Sequence, residues 1–136
     1  MKTPNTSLIN YFPIIGIGLF WALFFYAASL YPGGSQADVN TVGYDWVHNY
    51  WCNLLNINAT NGLPNPARPI AILAMIILCL SLIFFFIQFA KTISRHKFWQ
   101  KTIRYGGTIA MFFAVFLFTE YHDLVTSLSS IFGVFA

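Results

Sequence analysis

The sequence predicts an all-α fold, a polytopic transmembrane helix bundle, and three observations predict it. Only 8% of the 136 residues are charged and 57% are hydrophobic, whereas an average soluble domain carries roughly 25% charged residues. The apolar residues gather into runs of about 20, enough to cross a hydrocarbon core of roughly 30 Å at 1.5 Å per residue. Five of the seven basic residues lie between Lys91 and Arg104, in the gap between two such runs. So few charged side chains cannot clothe a water-facing surface. Lipid is the expected solvent, and residues 1–136 read as one membrane domain.

The first run is Tyr11 to Leu30. Tyr31-Pro32-Gly33-Gly34 closes it, because proline cannot continue a helical ladder and glycine permits turn geometry. Ala27-Ala28-Ser29 offers the small residues of a signal-cleavage site, but a signal core is about 7–15 residues and this run is longer. The second run is Ile70 to Ala90, opened by Pro69 and closed by Lys91. Proline suits a first helical turn, where its missing N–H costs nothing.

The third run, Tyr105 to Thr119, is short by itself, so its span is placed at about 103–121, with Gly106 and Gly107 in the first turn. Leu124 to Ala136 is too short to cross. The expectation is three clear spans plus a partial fourth. A terminal carboxylate in an apolar stretch is costly, so the chain reads as the N-terminal portion of a longer protein. A re-entrant or interfacial segment is the alternative.

Charge sets the orientation. The 91–104 loop carries Lys91, Arg95, Lys97, Lys101 and Arg104, the 31–69 loop carries Arg68, and Lys2 precedes the first run. The positive-inside rule puts the N-terminus and the basic loop in the cytoplasm. A multi-pass protein of the bacterial inner membrane is the expectation. Asp38, Asp45, Glu120 and Asp123, all four acids, then fall on the outer side with His48 and His122, and His96 stays in the basic loop. The net charge of +3 is that of a juxtamembrane loop, so no nucleic-acid partner is expected. Cys52 and Cys79 fall at different depths, which argues against a disulfide. Asn5-Thr6-Ser7 and Asn58-Ala59-Thr60 match the glycosylation pattern, useful only in a eukaryotic host.

The outer loop carries the best-patterned segment. Asp45, His48, Asn49, Cys52, Asn53 and Asn56 are spaced 3, 1, 3, 1 and 3 apart, with Trp46, Val47, Tyr50, Trp51, Leu54, Leu55 and Ile57 between them. This spacing predicts an outer amphipathic helix over 45–57. Its aromatic face would rest at the headgroup level, or its polar stripe would line a site with Asp45 and His48 as the titratable pair. At the end of the third run, Glu120, His122 and Asp123 stand out in so uncharged a chain.

The candidate catalytic residues are His122, Asp123, His48 and Asp45. Imidazole and carboxylate suit a divalent metal, so His48, His122, Asp123 and Glu120 are the candidate ligands, and a metal-bound water would hydrolyse a lipid ester or amide. No spaced His-x-x-x-His or His-Glu-x-x-His motif supports this, and no other cofactor is expected. A His–carboxylate proton relay and a plain helix end at the water interface account for the same residues. Arg68, at the start of the second run, is placed to meet a lipid phosphate or an outer acid. Ser81, Gln88 and Thr92 are placed for interhelical hydrogen bonds.

The order of these features, from Tyr44-Asp45-Trp46 through Asn53 and Asn61-Gly62 to His122-Asp123, resembles an uncharacterised prokaryotic family of six-helix membrane proteins. It is distantly similar to the eukaryotic DRAM-like and post-GPI-attachment membrane proteins. The resemblance implies a bundle of about six spans, of which this chain would supply the first half, and it implies no established catalytic residue. Three function classes stand: a scaffold or lipid-organising component, an intramembrane hydrolase or transferase acting on lipid headgroups, and a small-solute transporter. The bilayer is the expected partner, together with homo- or hetero-oligomeric contacts through membrane helices.

Overall fold

A computed structural model of the chain describes residues 11–93 and 96–136. Lys2, the Asn5-Thr6-Ser7 sequon and Arg95 lie outside these residues. Among the described residues the fold is all-α, with four α-helices: α1 (Phe12–Leu30), α2 (Arg68–Ile93), α3 (Lys97–Ala114) and α4 (His122–Gly133). Each helix packs against the next in chain order.

Helix α1 starts with Pro13 in its first turn and ends where the Tyr31 N–H bonds the Ala28 carbonyl at 3.2 Å. Helix α2 has 26 residues, a length of roughly 39 Å. Small residues let these helices approach. Ala27 and Ala28 of α1 and Ala71 and Ala74 of α2 are buried in one cluster with Phe20, Phe24 and Leu54. At the other end of the pair, a methyl group on Gly16 would strike the Ser81 hydroxyl, which donates to the Ile77 carbonyl at 2.7 Å.

The third helix differs from the span expected over 103–121, and the expectation of three clear spans plus a partial fourth is not met. Helix α3 begins earlier, at Lys97, and its first two turns carry Lys97, Lys101 and Arg104. It ends at Ala114, where the backbone tightens into three-residue bonds, Phe116 N–H to Phe113 and Leu117 N–H to Ala114. The Thr119 hydroxyl also donates to the Phe116 carbonyl at 2.7 Å. Among the described residues, two helices, α1 and α2, are long and apolar enough to cross a membrane.

The apolar segment 124–136 forms most of α4, and α4 folds back along α3. The Ser129 hydroxyl donates to the Ala110 carbonyl at 2.9 Å, and the Phe113 and Phe132 rings stack at 5.9 Å. Gly106 admits the backbone at Phe132, only 3.0 Å from where a β-carbon would stand. About a quarter-turn around α3, a β-carbon on Gly107 would run into the Phe86 ring of α2.

The predicted amphipathic helix over 45–57 does not form. Asp45 caps a single turn, and beyond it a side chain and the neighbouring loop take the Tyr50 N–H and the His48 carbonyl that a longer helix would pair. The Asp45 Oδ1 accepts the N–H groups of Val47 at 2.9 Å and His48 at 3.2 Å. The Asn49 Oδ1 accepts the Asp45 N–H, and the Asn53 Oδ1 accepts the Tyr50 N–H, each at 2.8 Å. The His48 carbonyl accepts from the Gln36 N–H at 3.2 Å. Such local bonds compete with a helix, and only a short 3₁₀ helix, Trp51–Leu55, remains. It wedges over the junction of α1 and α2, with Leu54 fully buried.

Candidate functional site

The loop 31–67 and the α3–α4 connection cover the same end of the bundle, where Leu117 and Phe118 pack on the cluster that includes Tyr31, Leu54 and Ala59. Asparagines knit this loop end together. The Asn49 amide donates to the Gly34 carbonyl at 2.9 Å. The Asn65 amide is shared by the carbonyls of Asn53, Leu54 and Asn56 at 3.0–3.2 Å, while its oxygen accepts the Ala67 N–H at 3.1 Å. Asn53 donates to the Thr60 hydroxyl at 3.1 Å, and the Tyr31 hydroxyl accepts the Thr60 N–H at 2.9 Å. The chain reverses at Asn61-Gly62, where Gly62 takes a φ of +83°, a conformation that side chains rarely adopt. Gly34, at φ +82°, lies so close to Thr60 and Asn61 that a β-carbon would clash with their backbone.

Of the six polar residues read as one face of a helix, Asn49 and Asn53 are structural ties, as is Asn65 beyond that segment. Asn49, Asn53 and Asn65 are buried and bonded to the loop's own backbone or hydroxyls. Asp45 and His48 do form a pair, with the imidazole Nδ1 2.9 Å from the Asp45 carboxylate. The Val47 N–H and then the His48 side chain hold the Asp45 carboxyl down at about 2, against its ordinary 3.8. Beside them, burial pushes the Tyr44 phenol up to about 12. The Tyr44 hydroxyl is buried with no hydrogen-bond partner among the described residues.

His122 Nδ1 lies 3.3 Å from the carboxylate of its neighbour Asp123, which is fully exposed. With Glu120, His122 borders a cleft of about 350 Å³ whose other wall is the loop at Asn56 and Asn58. These two asparagines were not singled out as cleft residues by sequence. Their signal is a dense Asn run before the prolines, which marks a folded loop and leaves its neighbour in space unspecified.

His48 and His122 thus each have one carboxylate beside them, and the two pairs stay separate. No group of three His, Cys, Asp or Glu side chains comes together among the described residues. The loop end thus carries two imidazole–carboxylate pairs, one with His48 as its exposed member and one with Asp123 as its exposed member. Arg68 is half-buried, and its Nε donates to the Leu55 carbonyl at 3.0 Å, so it ties the 3₁₀ helix to the start of α2. Cys52 and Cys79 are both free thiols, the first half-buried and the second buried.

Aromatic rings flank this end on the α1 side. Trp51 meets Phe24 at 5.0 Å and Trp21 at 5.4 Å, and Trp46 meets Tyr44 at 5.0 Å and Phe25 at 5.5 Å. Trp46, Trp51 and Tyr50 remain exposed on their outer sides.

Comparison with protein-family models, curated proteins and solved structures finds no match to the chain.

Proposed function

We propose that this chain is a multi-pass membrane protein, with its loop end outside and its basic end in the cytoplasm, acting as a lipid-organising or scaffold component. One observation carries the reading: the two most apolar helices turn most of their surface outward. Only 33% of the most apolar stretch of α1 and 22% of that of α2 are buried within the chain. A core helix of a water-soluble protein hides such a surface.

The contacts between helices support the same reading. They rest on Gly, Ala and Ser, the pattern by which helices associate where lipid removes the hydrophobic driving force. The exposed Trp and Tyr side chains beside the loop end suit a headgroup belt. The cytoplasmic placement of the other end follows from its basic residues, and a bacterial inner membrane fits that bias. In this reading α3 and α4 act as a hairpin in which one membrane-inserted helix supports the other.

The test uses the native thiols. In intact spheroplasts, a membrane-impermeant maleimide should label Cys52 from outside, and Cys79 should react only after denaturation. The protein should stay in the pellet after alkaline carbonate extraction. Release by carbonate, or labelling of Cys52 only from the cytoplasmic side, would overturn the reading or its orientation.

The cleft at Glu120 and His122 favours a second reading, a headgroup hydrolase or transferase using His122 as base. Unchanged turnover of lipid substrates in His122→Ala would remove it.

A further inference from the structure

The basic end of the bundle carries two adjoining concavities of opposite character. The first, about 270 Å³, lies where the end of α2 meets the start of α3, and Lys91, Lys97, Lys101 and Arg104 line it. The second, about 370 Å³, runs between α3 and α4 and is walled by Phe98, Ile109, Phe132 and Phe135. Lys101 and Tyr105 border both.

Helical spacing explains the cationic wall. Lys97, Lys101 and Arg104 follow one another at four and three residues, so they share a face of α3. Lys91, in the last turn of α2, faces them. The four carboxylate side chains of the protein, at 38, 45, 120 and 123, belong to the opposite end. No acidic side chain stands among the cluster, so its four cations are open to an anionic ligand. The apolar groove has a separate cause: Gly106 lets α4 close on α3 and leaves a trough beside the contact.

We infer that this pair of concavities binds an anionic diacyl phospholipid, its phosphate among the four cations and an acyl chain along the α3–α4 groove. Basic pockets between membrane helices on the cytoplasmic side suit such headgroups. A soluble phosphate would use the first concavity and leave the second without a role. The shared border at Lys101 and Tyr105 joins the two as headgroup joins chain. This inference rests on the membrane reading above and names the lipid that it would organise.

The experiment takes the full chain in mild non-ionic detergent and measures retained lipid by native mass spectrometry. The probes are phosphatidylglycerol, phosphatidylcholine with the same chains, inorganic phosphate and glycerol 3-phosphate. Phosphatidylglycerol should bind at least ~10-fold more tightly than phosphatidylcholine, and the two soluble anions should displace it poorly. Lys101→Gln/Arg104→Gln should weaken phosphatidylglycerol about 30-fold and leave phosphatidylcholine unchanged.

Lys101→Arg/Arg104→Lys, which keeps the charge, should retain the preference, and Lys91→Gln, at the opposite wall, should weaken it in part. Equal binding of the two lipids by the native chain, or inorganic phosphate competing as well as lipid, would overturn the proposal. Carbonate release from membranes would instead defeat the membrane reading, a separate result.

Discussion

The side-chain amide of Asn65 donates to the backbone carbonyl of Leu54 at 3.1 Å, and Leu54 is the fully buried residue of the 3₁₀ helix. The same amide reaches the carbonyls of Asn53 and Asn56, so one side chain closes the end of that helix while its oxygen starts α2. Asn65→Ala leaves several buried polar groups without partners, each costing about 1–3 kcal/mol. Asn65→Asp should be at least as harmful, because a carboxylate oxygen would face three carbonyls. Limited proteolysis of the 31–67 loop in detergent checks this: both variants should be cleaved faster than the native chain, and equal rates would refute the tie.

Two neighbouring tyrosines should respond in opposite ways to loss of the hydroxyl, although their rings meet at 5.6 Å. Tyr31→Phe removes the acceptor of the Thr60 N–H and a partner of its hydroxyl, a cost of roughly 1–3 kcal/mol. Tyr44→Phe removes a buried hydroxyl without a partner among the described residues and should be neutral or stabilising. Thermal melts of the two variants in one detergent decide the matter.

The Asp45 carboxyl, held at about 2 by the Val47 N–H and then His48, against 3.8 ordinarily, makes the loop acid-sensitive. A depressed carboxyl contributes stability above its ordinary value, and that contribution is lost as pH falls toward the depressed one. Melting temperature should therefore drop between about pH 4 and pH 2, and Asp45→Asn should flatten this part of the curve. A native-like slope in Asp45→Asn would show that other groups govern the acid response.

Gly107→Ala drives a methyl group into the Phe86 ring. Overpacking of this kind costs typically about 1–3 kcal/mol. Phe86→Leu in the same chain should recover part of the loss, because the shorter side chain vacates the ring position. A double-mutant cycle on thermal melts reads the coupling. Strict additivity would mean that α2 and α3 do not meet there.

Helices α1 and α2 were legible because an unbroken apolar run is its own signal: the boundaries 11–30 and 70–90 compare with Phe12–Leu30 and Arg68–Ile93. The loop was not legible for a related reason. The spacing of Asp45, His48, Asn49, Asn53 and Asn56 suits a helix face, yet Asn and Asp mimic backbone groups and can bond to the chain itself. Periodicity records which residues are polar and is silent on whether they turn toward water or inward. Helix α3 was misplaced because basic side chains at 97, 101 and 104 lower hydropathy without opposing helix formation. At the site, adjacency in sequence revealed His122 with Asp123 and His48 near Asp45. That the two pairs stay apart, and that Asn56 and Asn58 face His122, depends on tertiary packing.

The clustering of Trp21, Trp46 and Trp51 at the loop end leaves Trp99, in the first turn of α3, as the fourth and last indole of the protein. The molecule consequently carries its own optical depth gauge. In the membrane reading proposed above, quenchers placed at successive positions along lipid chains would report the crowded trio from one leaflet and the solitary fluorophore from the other, and quenching of both from a single leaflet would contradict that reading. Replacing Trp99 with Phe would leave a one-sided emitter without adding any dye.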